Sequence, residues 1–204
     1  MFTGIITDIG EITGVEQKPG ADLRLTIRGQ ADLSNVAIGA SIACSGVCLT
    51  VTTRAGNSFT VDVSAETVSR TAPLWAEGGR LNLERSLKLG DELGGHIVTG
   101  HVDGLGTVEL VEAVDGSTHL VIRAPAALAP MIAPKGSITV DGVSLTVNSI
   151  DDLPGGDALF HLNIIPHTAE WTTLGTATAG RAVNLEVDVL ARYLQRMTSA
   201  RFTS

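Results

Sequence analysis

The sequence predicts an all-β chain of two tandem homologous antiparallel barrels followed by one amphipathic α-helix, and three observations carry that reading. Ser41 to Val51 (SIACSGVCLTV) recurs as Ser137 to Val147 (SITVDGVSLTV), with seven of eleven positions identical, where ordinary composition gives about one by chance. Short runs rich in β-branched residues alternate apolar and polar side chains, and turn residues interrupt them every 8 to 12 positions or so, the pattern of small antiparallel barrels. After Asp188 the period changes to that of a helix.

Taken in order, the first half has turn signals at Lys18-Pro19-Gly20, Ala55-Gly56-Asn57 and Glu77-Gly78-Gly79. Between them Leu49 and Val51 alternate with Thr50 and Thr52, and Val61 and Val63 with Thr60 and Asp62. A helical piece is expected near Glu66 to Arg70, and the boundary between halves within Lys88 to Gly95 (KLGDELGG). An offset of 96 then aligns Thr3-Gly4 with Thr99-Gly100 and Gly10 with Gly106. Phe59 to Thr67 (FTVDVSAET) lies against Phe160 to Thr168 (FHLNIIPHT), and Leu81-Asn82-Leu83-Glu84 against Val183-Asn184-Leu185-Glu186. The second half turns at Asp115-Gly116 and Pro154-Gly155-Gly156, with a helical piece near Pro125 to Met131. Leu190, Tyr193, Leu194 and Met197 follow at i, i+3, i+4 and i+7 behind a capping Asp188, a stripe that invites association with further copies. The expected units are a first barrel at 1–92, a second at 93–187 and the helix at 188–204.

Composition narrows the function. With 14 basic and 22 acidic residues the net charge is −8, and no basic run offers a footprint for a phosphate backbone, so nucleic acid is excluded as a partner. The N-terminus carries Asp8 and Glu11 and no basic segment of a secretory signal. The uncharged stretch Leu33 to Thr53 is interrupted by Ser34, Asn35, Gly39, Ser41, Ser45, Gly46 and Thr50, which reads as buried strands and not as a membrane span. Cys44 and Cys48, placed on one extended strand, stand about 13 Å apart, beyond disulfide reach. Reduced thiols and a cytoplasmic location are the expectation.

No cofactor fingerprint is present. Gly104-Leu105-Gly106, expected between strands, lacks the third glycine of a dinucleotide turn, and no phosphate-cradling loop ends in Gly-Lys-Ser or Gly-Lys-Thr. His96 and His101 have no cysteine or carboxylate cluster beside them to make a zinc site. Ser144 in Gly-Val-Ser-Leu-Thr is not a nucleophile elbow. What remains is the repeat-equivalent pair Cys48 and Ser144, each followed two residues later by a threonine on the same strand face, Thr50 and Thr146.

The opening Met1-Phe2-Thr3-Gly4-Ile5-Ile6, the segment Gly94-Gly95-His96-Ile97-Val98-Thr99-Gly100-His101 and the paired Gly-x-x-Leu-Thr-Val runs resemble the riboflavin synthase family of alpha-chain type. That resemblance implies two six-stranded Greek-key barrels, a C-terminal helix, a homotrimer and association with lumazine synthase. It implies a transferase that moves a four-carbon unit between two molecules of 6,7-dimethyl-8-ribityllumazine, with no cofactor and no metal. The alternative is a non-catalytic lumazine- or flavin-binding protein of the same superfamily. The family's ligand segments map onto Gly4, Ile5, Ile6, Cys48, Leu49, Thr50, Asp62, Val63, Ser64, Ala65, Glu66, Thr67, His101, Val102 and Asp103 for the first barrel. For the second they map onto Lys135, Ser144, Leu145, Thr146, Asn163, Ile164, Ile165, Pro166, His167 and Thr168. Residues tied to turnover in the family correspond to Phe2, Ser41, Cys48, His96, His101, Lys135, Asp141, Ser144, Thr146 and Asp188.

Overall fold

The structure is a computed structural model that describes residues 1–199; the last five positions of the expected terminal helix lie outside the described residues. The first half contributes β1 (Asp8–Gln17), β2 (Leu23–Arg28), β3 (Ser41–Cys44), β4 (Val47–Ala55), β5 (Ser58–Val63), α1 (Ala65–Arg70) and β6 (Arg80–Arg85). Its six strands form a closed antiparallel barrel in the order β1-β2-β5-β4-β3-β6, with β6 returning to β1. Alternation fills it: Leu25, Ile27, Val51, Phe59, Val61, Val63 and Leu81 point inward and are at most 1% exposed.

The second half runs β7 (Gly104–Val114), β8 (Ser117–Ala124), β9 (Ser137–Val140), β10 (Val143–Thr146), β11 (Ser149–Asp152), β12 (Ala158–Ile164), α2 (Pro166–Trp171) and β13 (Ala182–Val187). Its sheet order is β10-β9-β13-β7-β8-β12-β11. This is the path of the first barrel with the equivalent of β4 split in two. At the split the Val147 N–H turns to Gly136 O, while the Asn148 N–H turns to His161 O on β12. The first barrel meets the same stress with a register shift between Val51 and Thr53 and stays closed. The piece expected near Pro125 to Met131 is a turn ending in one short 3₁₀ segment, Ala129–Met131, whereas α2 is the unforeseen counterpart of α1.

Two further expectations change. Gly104 and Gly106 lie within β7 and not between strands. Cys44 and Cys48 do not share a strand: Ser45-Gly46 make a tight turn, and β3 pairs Ala43 with Cys48 and Cys44 with Val47. Both cysteines are free.

The halves meet about a pseudo-two-fold axis through their β3–β4 and β9–β10 turns. Ser45, Gly46, Asp141 and Gly142 all have positive φ (46°, 83°, 48° and 80°), as a two-residue hairpin matching the strand twist requires. The turns stack so closely that a Cβ on Gly46 would stand 2.9 Å from Gly142 N, and one on Gly142 2.6 Å from Gly46 N. Two buried asparagines bind the halves reciprocally. Asn82 Nδ2 donates to Asp141 O (2.9 Å) and its Oδ1 accepts from Thr173 N (2.7 Å). Asn184 Nδ2 donates to Ser45 O (2.9 Å) and its Oδ1 accepts from Ala72 N (2.7 Å). Phe2 and Val98 pair across the same axis and, with Ala43, form a small apolar core of their own.

After Asp188, α3 (Val189–Ser199) exposes Leu190, Tyr193, Leu194 and Met197 by 61 to 68%. It does not bury its stripe on its own barrel. Among the described residues no helix is long and apolar enough to cross a membrane.

Asn184→Ala leaves the Ala72 N–H and the Ser45 carbonyl buried without partners, which costs about 2 to 4 kcal/mol for the two. Denaturant unfolding should register a loss in that range. A loss within about 0.5 kcal/mol, the size of an ordinary surface change, would show that the asparagines do not join the halves.

Candidate functional site

Each half sends its Thr-Gly segment across the axis onto the other half. Glu84, on β6 of the first barrel, is buried and accepts from Thr3 N and Thr3 Oγ1 (both 2.7 Å) and from Gly4 N (2.9 Å). Glu186, on β13, does the same for Thr99 N (2.7 Å), Thr99 Oγ1 (2.6 Å), Gly100 N (2.9 Å) and His101 N (3.0 Å). Burial pushes the Glu84 carboxyl up, and the Thr3 and Gly4 bonds pull it back. The segments so held reach the repeat-equivalent pair: Gly4 O accepts from Ser144 N (2.8 Å) and Gly100 O from Cys48 N (2.9 Å). Ile6 accordingly packs on the core of the second half and Val102 on that of the first.

This exchange changes the expected grouping of one segment, Gly4 to Ile6, and leaves His101 to Asp103 with the first barrel. Gly4, Ile5 and Ile6, assigned to the first barrel by resemblance, stand with Ser144, Leu145 and Thr146 of the second. His101, Val102 and Asp103 stand with Cys48, Leu49 and Thr50 of the first. Glycine is required at both contacts. Gly4 (φ +77°) and Gly100 (φ +78°) have left-handed backbones, and a Cβ would lie 2.5 Å from Ser144 Cβ and 2.7 Å from Cys48 Cβ respectively.

The remaining segments sit at the ends of β5 and β12. Ser64 caps α1 by accepting from Thr67 N (3.1 Å), and Thr67 O accepts from Thr71 Oγ1 (2.7 Å) as Thr168 O accepts from Thr172 Oγ1 (2.7 Å). Asp62 is held well below the usual carboxylate range by a two-pronged bond to Arg24 at 2.7 and 2.9 Å. Asn163, its equivalent, accepts from Ser117 Oγ. Ser41 opens β3 opposite Thr50.

The second half-site has one group the first lacks. His96 Nδ1 lies 2.8 Å from Ser144 Oγ, and its Nε2 is buried without a hydrogen-bond partner. Burial lowers the pKa of this imidazole, and the nearby charges of Asp188 and Glu186 only partly oppose that shift. The ring is therefore neutral at pH 7, and its tautomer sets whether Nδ1 accepts from Ser144 Oγ or donates to it. Among the described residues no imidazole is hydrogen-bonded to Cys48, which packs against Phe2, Ala43 and Val98.

The other residues that the resemblance ties to turnover lie around this surface. Phe2 is fully buried at the axis. Asp141, also fully buried, accepts from Asn184 N (2.8 Å) and Arg181 Nη2 (2.7 Å), and burial pushes its carboxyl up to about 6. Asp188 caps α3, its Oδ1 accepting from Leu190 N (2.8 Å), while Arg192 of the same helix bonds Asp103 (2.8 Å) and so ties α3 to the His101 segment. Lys135 is exposed beside β10, its N–H on Val147 O. Glu84, Glu186, Asn82 and Asn184 were not expected at the site. Their signal was visible, an Asn-Leu-Glu run inside each last strand, as Leu81-Asn82-Leu83-Glu84 and Val183-Asn184-Leu185-Glu186.

Five surface clefts, the largest about 550 Å³, have no lining contribution from Cys48, His96 or Ser144. Cys48 and Ser144 are half-buried and Thr50 and Thr146 exposed, so each half-site faces the surface as an open platform.

Similarity to known proteins follows this duplicated layout. The model of the lumazine binding domain matches twice, at residues 3–86 and 99–188. The riboflavin synthase of Brucella abortus (strain 2308) is 47% identical over 206 residues, covering 97% of this chain and 98% of that protein. The riboflavin synthase of Mycobacterium tuberculosis (strain ATCC 25618 / H37Rv) is 47% identical over 203 residues, with 97% and 98% covered. Among solved structures, LumP complexed with riboflavin superimposes with a TM-score of 0.78 at 26% identity, covering 92% of this chain and 99% of that one.

Gly4→Ala should destabilise the chain by about 2 to 4 kcal/mol, whereas Gly20→Ala, at φ +81° with nothing within 4 Å, should cost only about 1 kcal/mol. Equal losses would remove the contact with Ser144 from the account. For His96, the depressed folded pKa means that the unfolded chain takes the proton first. This group's contribution to stability is therefore present above the ordinary histidine value and lost as pH falls toward the folded pKa. NMR titration of His96 should give a midpoint below 6.5; a midpoint at or above it contradicts a buried neutral ring.

Proposed function

The chain belongs to the lumazine-binding domain family, one copy of the domain in each half, and on that premise we propose how it works as a riboflavin synthase. Two molecules of 6,7-dimethyl-8-ribityllumazine lie one on each kind of half-site and exchange a four-carbon unit, giving riboflavin and 5-amino-6-(D-ribitylamino)uracil. The observation that carries this reading is the reciprocal delivery of Gly4 to Ser144 and Gly100 to Cys48, which makes two related but chemically unequal platforms from one chain.

The substrate is a neutral ring with a polyol, so it is met by backbone groups, the hydroxyls of Thr50, Thr67, Thr146 and Thr168, and few charges. Its C7 methyl is acidic because the carbanion delocalises into the ring. Holding two rings face to face supplies effective molarity worth about 7 to 11 kcal/mol at best. On the second platform neutral His96 accepts the Ser144 proton and frees the serine oxygen for addition to ring carbon or for orienting a water. On the first platform Cys48 stands without a base. That inequality suits a reaction in which one molecule donates the four-carbon unit and its twin accepts it.

Open platforms need a cover. A trimer in which the first unit (1–92) of one subunit faces the second unit (93–187) of its neighbour encloses both rings at three places, and the stripe on α3 joins the subunits. The cytoplasm keeps Cys48 reduced.

Incubating the protein with ribityllumazine should yield one riboflavin for two lumazines consumed. Ligand binding without product would favour the non-catalytic alternative. Leu190→Asp with Leu194→Asp retains Arg192 and the cap, and should give monomers that bind riboflavin but turn over at least about tenfold more slowly, the scale of lost positioning. A monomer of full activity would refute the shared site.

A further inference from the structure

The duplicated platforms differ in charge at matching positions. Gly39 and Lys135 are structurally equivalent, Gly39 N–H bonding Val51 O (2.8 Å) and Lys135 N–H bonding Val147 O (2.7 Å). Lysine stands there at φ +66°, where its counterpart is glycine at +86°, so the side chain is kept in a conformation that disfavours it. Its ammonium makes no hydrogen bond or ion pair with any described residue. On the short helices, Glu66 and His167 occupy the same place, one residue before Thr67 and Thr168 with their matching threonine bonds. Glu66 is 80% exposed, and its one cationic neighbour is Arg70 at 3.9 Å. Asp62 and Asn163 are a third pair, but Arg24 neutralises Asp62, which leaves Glu66 against His167 and Gly39 against Lys135 as the difference.

Resting on the half-site reading above, we infer that the second half-site accepts ring–ribityl ligands whose chain ends in a phosphate, while the first half-site rejects them. The Lys135 ammonium attracts the dianion and the His167 imidazole offers it a hydrogen bond, whereas Glu66 at the matching position repels it. The ring and polyol contacts are shared by the two platforms, so charge decides between them.

Flavin mononucleotide and riboflavin are titrated separately into the full-length protein, with quenching of flavin fluorescence as the readout. The expected result is a flavin mononucleotide stoichiometry half that of riboflavin, and an affinity that weakens with added salt while that of riboflavin does not. Lys135→Glu should lower the affinity for flavin mononucleotide relative to riboflavin by about tenfold, with Lys135→Gln intermediate. Glu66→His should raise the flavin mononucleotide stoichiometry to that of riboflavin. Equal stoichiometries in the unaltered chain, or an affinity ratio unmoved by both charge changes, overturns the inference. If riboflavin is still formed from lumazine in that case, the proposed function stands without it; a chain that binds neither flavin loses both.

Discussion

Two buried carboxylates, Glu84 and Glu186, hold the whole arrangement in place. Each sits on the last strand of its own half and gathers the N–H and hydroxyl of a Thr-Gly segment, three bonds at Glu84 and four at Glu186. A buried carboxylate without such donors would be costly; with them it is a fixed anchor. The direction of the anchored segment then follows, because Gly4 and Gly100 can only leave it with positive φ and come to rest on Ser144 and Cys48. Fold, interface and site are consequences of one repeated contact.

Duplication gave two platforms, and the neighbours of the repeat-equivalent pair make them unequal. The His96 ring stands 2.8 Å from Ser144 Oγ, whereas Cys48 packs against Phe2, Ala43 and Val98. Similar reasoning applies to the terminal helix. The stretch after β13 folds as α3, capped by Asp188 and tied by Arg192 to Asp103, whereas the stretch after β6 is the extended linker that carries His96 to Ser144. One half thus ends in an exposed apolar stripe and the other in the imidazole that meets Ser144.

Much of this was legible in the sequence. Period-two alternation located barrel strands, since Val51, Val61 and Val63 must face inward, and the stripe after Asp188 located α3. Fold symmetry was legible because SIACSGVCLTV and SITVDGVSLTV differ little. The pairing of Cys48 with Ser144 followed from the same offset. Which segment serves which half was not legible, because the exchange is a long-range event: Gly4 meets Ser144 across most of the chain, and no local pattern encodes that. The split between β10 and β11 was equally hidden, since Val147 and Asn148 continue a strand-like run and only their carbonyl partners diverge. The cysteines were misplaced because Ser45-Gly46 is a hairpin turn without the asparagine or aspartate that usually marks one.

The central claim is that a working site joins the first platform of one subunit to the second platform of another. Thr50 and Thr146 are exposed, repeat-equivalent positions, so Thr50→Trp blocks the first platform and Thr146→Trp the second without entering either core. Each variant alone should be inactive. Subunits of the two mixed in equal amounts and allowed to exchange should recover about a quarter of the unaltered activity, the chance that an unblocked first platform meets an unblocked second in a cyclic trimer. A mixture as inactive as its components would contradict the account and place both rings within a single chain.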